Sequence, residues 1–262
     1  MNVARSLGGR RSARRHHAGM SLLEVAIALV VAGLLSWASF SAYETVAAQQ
    51  EIERGRAEAQ QLQSILRAFA LRNGRLPCPD AGAQASGYES LTGAECSPGN
   101  RVGWFPYVSV GLEVPEQALR ARYAVLRVRN VGNPSLDADL ALAIERTGDA
   151  ADDENFLAVT DLIAGLNHAA ALPLATDQPH LTGDAGAAGP IDCAANRVMS
   201  VAYWVVVSLK DADNDGIRLD APHTLSGLCA ASPAAAPRFG SDDVVVAESP
   251  AQLAGWLRKS LP

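Results

Sequence analysis

A chain of 262 residues with 48% hydrophobic and 19% charged side chains has an ordinary globular composition, long enough to bury a core in one domain with extensions. Its 22 Lys and Arg against 28 Asp and Glu leave −6, and Arg5, Arg10, Arg11, Arg14 and Arg15 all precede Gly19, where no acid occurs. Without those five arginines, 17 basic face 28 acidic side chains, a balance of −11 that repels phosphate backbones, so no nucleic-acid partner is expected.

After this basic segment, Val25 to Tyr43 carries no charge. As a helix it spans roughly 28 Å at about 1.5 Å per residue, enough to cross the hydrocarbon core of a bilayer. The arginine-rich side is expected to stay cytoplasmic and the remainder to face the periplasm. Three readings fit a basic segment followed by an apolar run: a removable secretory signal, a permanent signal anchor, or a leader cut ahead of the apolar run. Ser39 and Ser41, or Val46 and Ala48, satisfy an ordinary signal-peptidase site. A lone carboxylate, Glu24, stands at the mouth of the apolar run, where inserting it calls for a specific partner.

The stretch Gly19-Met20-Ser21-Leu22-Leu23-Glu24, after a basic leader and before an apolar helix, resembles the cleavage and methylation motif of type IV pilins and type II secretion pseudopilins. The resemblance implies that prepilin peptidase cuts between Gly19 and Met20 and methylates the new amino terminus at Met20. Glu24 then becomes the fifth residue, whose carboxylate meets the amino-terminal ammonium of a neighbouring subunit during assembly. Met20 stands where the family usually has Phe. The partners implied are prepilin peptidase, other pilin or pseudopilin subunits and the inner membrane. The alternative is a periplasmic calcium-binding or adhesive module released by ordinary signal peptidase, with its mature amino terminus near Ala42 or Gln49.

Glu44 to Asn73 continues in good helix formers, with Gly55 as its weak point. Ile52, Ala59, Leu62, Leu66 and Phe69 form one apolar stripe, and Asn73-Gly74 is a helix stop. The expected organisation is a leader over residues 1–19, a long helix over 20–73 that is transmembrane to about 43, and a globular periplasmic α+β domain over 74–262. The fold class is α+β: a long amino-terminal helix, membrane-spanning in its first half, packed on a small antiparallel sheet. The segment from Arg75 to Cys96 reads as a Gly- and Pro-punctuated loop. Strands are expected at Tyr123–Arg129, Leu140–Glu145, Val198–Leu209 and Asp243–Ala247, and helices over Glu154–Ala171 and after Ser249-Pro250. The R-L-P-C-P run and the acidic D-D-V-V-V strand also resemble a subgroup of pilin-like proteins, with residues 131–190 an insertion relative to small major subunits. A minor or specialised subunit is the expectation that follows.

Cys78, Cys96, Cys193 and Cys229 are even in number and show no metal-binding spacing. Of three pairings, Cys78 with Cys96 and Cys193 with Cys229 each tie a Gly/Pro-rich loop within one half of the domain; free buried thiols are the alternative. Asp211-Ala212-Asp213-Asn214-Asp215-Gly216 resembles the start of a calcium loop, with alternating hard oxygens and a glycine for the tight turn. Pro222 occupies the place of the bidentate Glu, so Asp220 or a distant acid such as Asp242 or Asp243 has to complete the shell; a solvated Asp/Gly turn is the other reading. No P-loop, nucleophile elbow, paired zinc histidines or dinucleotide fingerprint occurs, and no enzymatic activity is expected. His168, His180 and His223 read as surface or capping residues, the acids from Asp149 to Glu154 as a solvated run, and Trp104, Phe105 and Tyr107 as aromatic core.

Overall fold

The computed structural model describes residues 21–83, 85–148, 158–184, 191–194, 196–212, 214–223, 227–235, 238 and 240–261. The chain divides into two units, residues 1–49 and 50–262. Gly19, Met20, Asp213 and the acidic run at 149–154 lie outside the described residues, as does the start of the helix expected from Glu154.

The described part of the first unit is helical from Leu22, the beginning of α1 (Leu22–Asn73). It has no core: Leu22, Leu29, Leu34, Trp37 and Phe40 all stand exposed. One window of 18 residues in this helix reaches a mean hydropathy of 2.0 with none of it buried, long and apolar enough to cross a membrane. A surface this apolar and this continuous needs lipid or a protein partner, because water solvates it poorly.

In the second unit the remainder of α1 buries Gly55, Ala59, Leu62, Leu66, Phe69 and Ala70, the expected stripe with Ile52 only half-buried. Its end is a glycine cap: Gly74 sits at φ +59° and donates its N–H to the Ala70 carbonyl at 3.0 Å. The chain then forms β1 (Leu91–Thr92), β2 (Glu95–Cys96), β3 (Val102–Trp104), β4 (Arg122–Val125), β5 (Arg127–Val128) and β6 (Ala138–Asp139). After these come α2 (Val159–Ala171), β7 (His180–Thr182), β8 (Arg197–Ser200), β9 (Tyr203–Val207), β10 (Cys229–Ala231), β11 (Val244–Glu248) and α3 (Pro250–Ser260).

The main sheet is antiparallel in the order β11-β9-β4-β3. Its faces separate by the alternation of strand side chains. Tyr123, Val125, Tyr203, Val205 and Val207 join the core built by α1, α2 and α3, through Leu62, Leu66, Leu162, Leu166, Leu253 and Leu257. Ala124, Trp204, Val206 and Val245 join a second core with Leu181, Ala230 and Ala231 from the smaller sheet β10-β7-β8. Thus β9, Tyr-Trp-Val-Val-Val, is buried at every position, as an uninterrupted apolar strand requires. Arg67 of α1 closes one end of this arrangement with two bonds to buried Glu248, at 3.1 and 2.8 Å, while lying over the Trp256 ring; the Tyr203 hydroxyl donates to the same carboxylate.

The α+β class is as expected, and several local expectations change. Tyr123–Arg129 divides at Leu126, whose N–H bonds the Ala202 carbonyl, into β4 of the main sheet and β5, which pairs with β6; the expected loop over Arg75–Cys96 ends in the short pair β1 and β2. The Val198–Leu209 run is two strands: the chain bends at Val201-Ala202, whose N–H groups bond the Pro179 and Glu248 carbonyls, so β8 and β9 serve different sheets. The smaller sheet contains a parallel pair, β7 with β10. Leu140–Glu145 is not a strand. There the Asp139, Leu142 and Ile144 carbonyls accept bonds from the buried guanidinium of Arg146, which also meets Asp137 at 3.3 Å. Gly165 of α2 makes room for that guanidinium, since a Cβ there would lie 3.0 Å from Arg146 Nε.

Candidate functional site

The start of α1 is a reciprocal cap. Ser21 Oγ accepts from the Glu24 N–H at 3.2 Å, and Glu24 Oε2 accepts from the Ser21 N–H at 2.8 Å. Two donors that a helix start leaves orphaned are satisfied together, and the carboxylate lies at the positive end of the helix dipole. The pattern S-x-x-E was present in the sequence, where Glu24 was assigned only an intersubunit partner. Within its own chain Glu24 therefore has a local bond as well.

Both disulfides are present in the preferred pairing: Cys78–Cys96 with Cα atoms 5.5 Å apart and Cys193–Cys229 at 6.0 Å. The first closes the loop after α1, where Glu89 also accepts from Arg75 and from the Cys78 N–H.

The acidic loop after β9 forms the turn its sequence calls for. Asn214 adopts φ +59° and Gly216 φ +89°, backbone that glycine and asparagine tolerate best. Asp211 Oδ1 accepts from Asp215 N at 3.1 Å, its Oδ2 from Gly216 N at 3.0 Å, and Asp215 Oδ1 from Ile217 N at 2.7 Å. These bonds curl the loop on itself. Both Asp211 oxygens and Asp215 Oδ1 are thus engaged by the loop's own backbone, and Asp213 lies outside the described residues.

The structure assembles a different trio of acids. Ligand atoms of Asp220, Asp242 and Asp243 lie within 4.8 Å of one another, and neither Asp211 nor Asp215 belongs to that group. Asp220 accepts from Ala212 N at 2.9 Å and from Asp242 N at 2.8 Å, tying the acidic loop to the approach of β11. Asp243 Oδ2 accepts from Asp220 N at 3.0 Å and faces His223 Nδ1 at 2.8 Å. His223, expected at the surface, is fully buried, and its Nε2 faces the Ala231 N–H at 3.1 Å. Because Nε2 has to accept, the ring carries its proton on Nδ1 and donates it to Asp243 as a neutral imidazole. Burial pushes the Asp243 carboxyl up to about 6, against the pull of His223. Its second oxygen, Oδ1, is buried with no hydrogen-bond partner. Asp243 also lines a cleft of about 650 Å³ beside β11. His180 is likewise buried in β7, whereas Phe105 and Tyr107 are core as expected, their rings edge-to-face at 5.0 Å.

Comparison with protein families, curated proteins and solved structures returns no match to this chain.

Proposed function

We propose that the chain is a structural subunit, minor or specialised, of a type IV pilus or type II secretion pseudopilus. The observation that carries this reading is α1: a helix whose exposed apolar first half opens with a capped acid and whose second half packs into a disulfide-bonded domain. Such a helix has two surfaces for two environments. In this reading the basic leader stays cytoplasmic, the first half waits in the inner membrane, and the domain faces the periplasm, where oxidised cysteines persist. Prepilin peptidase then removes residues 1–19 and methylates Met20, and the subunit enters the filament by helix packing, Glu24 exchanging its local bond for a neighbour's ammonium. Its work is mechanical and no catalytic group takes part. Calcium belongs to the same proposal as a stabiliser of the acidic loop through Asp211, Asp213 and Asp215, supported by the alternating acids of the sequence and the tight turn at Asn214 and Gly216.

The deciding experiment is the mass of the mature amino terminus after co-expression with prepilin peptidase. A methylated Met20 terminus that disappears when Gly19 is replaced by a bulky residue is the expected result. A terminus at Ala42 or Gln49 instead supports a secreted module released by ordinary signal peptidase.

A further inference from the structure

Asp220, Asp242 and Asp243 approach one another because backbone donors hold each carboxylate in place. The Ala212 and Asp242 N–H groups bond the two oxygens of Asp220, the Lys210 N–H bonds Asp242 Oδ1 at 3.2 Å, and the Asp220 N–H bonds Asp243 Oδ2. One oxygen from each of the three lies within 4.8 Å of the others. That is the width of one hard cation's shell, since oxygens on opposite sides of an ion bound at about 2.4 Å are about 4.8 Å apart.

The positive groups of the neighbourhood are turned elsewhere. Lys210 pairs its ammonium with Glu51 at 2.7 Å, and Arg218 donates to the Leu209 carbonyl. Among the described residues neither Asp242 nor Asp243 forms an ion pair with a lysine or arginine. The ring that faces Asp243, His223, is neutral because its Nε2 accepts from the Ala231 N–H. Asp243 Oδ1 is left buried with no hydrogen-bond partner, on a side chain with no exposed surface. Such an oxygen costs free energy until a donor or a cation meets it. Burial first, and the Asp220 charge with it, push the Asp242 and Asp243 carboxyls upward, as crowded acids without a counter-ion require. Asp242 is only half-buried, which leaves an ion a route from solvent.

We propose that Asp220, Asp242 and Asp243 form a second site for a hard divalent cation of the calcium class, separate from the Asp211–Gly216 turn, and that the ion ties the exit of the acidic loop to the approach of β11. Asp243 offers Oδ1, Asp220 and Asp242 offer one oxygen each, and water fills the rest of the shell. The ion class follows from the donor set alone, so the assignment does not depend on the filament reading; it extends the calcium reading to a second set of ligands.

Calorimetric titration of the full chain in detergent with calcium alone should find two ions. Asp242→Asn keeps an acceptor for the Lys210 N–H and removes one charge; it should weaken the second ion by at least about tenfold, because ligand charge sets affinity. Calcium should also slow exchange of the Asp220 and Asp242 amides, both of which bond carboxylates of the cluster, in the parent and not in the variant. Because the turn presents Asp220 through the Ala212 N–H, changes at Asp213 or Asp215 are expected to weaken both sites and do not separate them. A single ion that Asp242→Asn removes keeps this site and overturns the one on the turn. A single ion that Asp242→Asn leaves in place, with the two amides unprotected, overturns this proposal and keeps the turn site. No binding at millimolar calcium overturns both. If the variant does not fold, the parent decides: amides of Asp220 and Asp242 that calcium does not slow overturn the proposal.

Discussion

Single residues decide how tightly α1 is used. Gly55 looked like a helix defect, yet a Cβ there would collide with Leu209 and press Val244 Cγ2 at 3.2 Å. The glycine is a point of close approach. Gly255 in α3 has open space where its Cβ would be. Gly55→Ala should therefore destabilise the protein by about 1–2 kcal/mol despite better helix propensity, whereas Gly255→Ala should stabilise it by about 0.5–1 kcal/mol. Denaturant titration of the two variants checks the contrast, and similar effects at both sites would contradict it. At the other end of the helix, Glu24→Ala should leave the leader cleavable, since cleavage reads the residue before the cut. It should also fray the first turn, a loss of about 1 kcal/mol in capping, and reduce filament entry. Normal incorporation of Glu24→Ala would refute the proposed charge pairing.

At the scale of elements, the segment before α2 is organised around Arg146. Its guanidinium is buried with Asp137, four backbone carbonyls surround it, and its N–H bonds Asp161 at 2.7 Å. Arg146→Met would leave Asp137 and the Asp139 carbonyl without this donor, and a loss of about 3 kcal/mol is expected from breaking a buried pair on one side. A change below about 1 kcal/mol in urea titration would show that the carbonyls find water instead. Here also lies the limit of what the sequence discloses. Local chemistry was readable: the α1 stripe, the Gly74 stop, the Val-rich β11 and the Ser249-Pro250 start of α3, which the Ser249–Gln252 capping box confirms. Non-local partners were not. Leu140–Glu145 has strand composition, but the ligand for its carbonyls is a side chain, and no periodicity announces that. Three-residue strands such as β7 and β10 are too short to show a period, and Val201-Ala202 gives no turn signal where the chain changes sheets. The same applies to the acids. Asp211 to Gly216 was legible as a local turn, whereas Asp243 meeting His223 and Asp220 depends on sequence separations of 20 and 23.

Across the whole molecule, the acidic loop is a connection between β9 and the later chain, with Asp220 joining it to Asp242 at the approach to β11. A cation bound only in the folded state must raise stability, by about 2.7 kcal/mol at 100 times its dissociation constant. The full chain in detergent should melt higher in calcium than in chelator at fixed ionic strength, and an Asp213→Ala, Asp215→Ala double variant should lose that difference. Identical curves for the parent protein, with no heat of binding at millimolar calcium, would reduce the loop to an acidic turn. The double coverage of β9 has a separate consequence, for the order in which the domain opens. A strand screened on one face by helices and on the other by a second sheet cannot exchange its amides until one of those layers lifts. The smaller layer rests on strands of three and four residues, with Cys193–Cys229 fastening its margin, while the helical side holds the longer apolar stripe. Local opening should thus begin at β7 and β8, leave β4 and β9 paired beneath the helices, and reach the amides of Tyr203 to Val207 last, at the free energy of global unfolding.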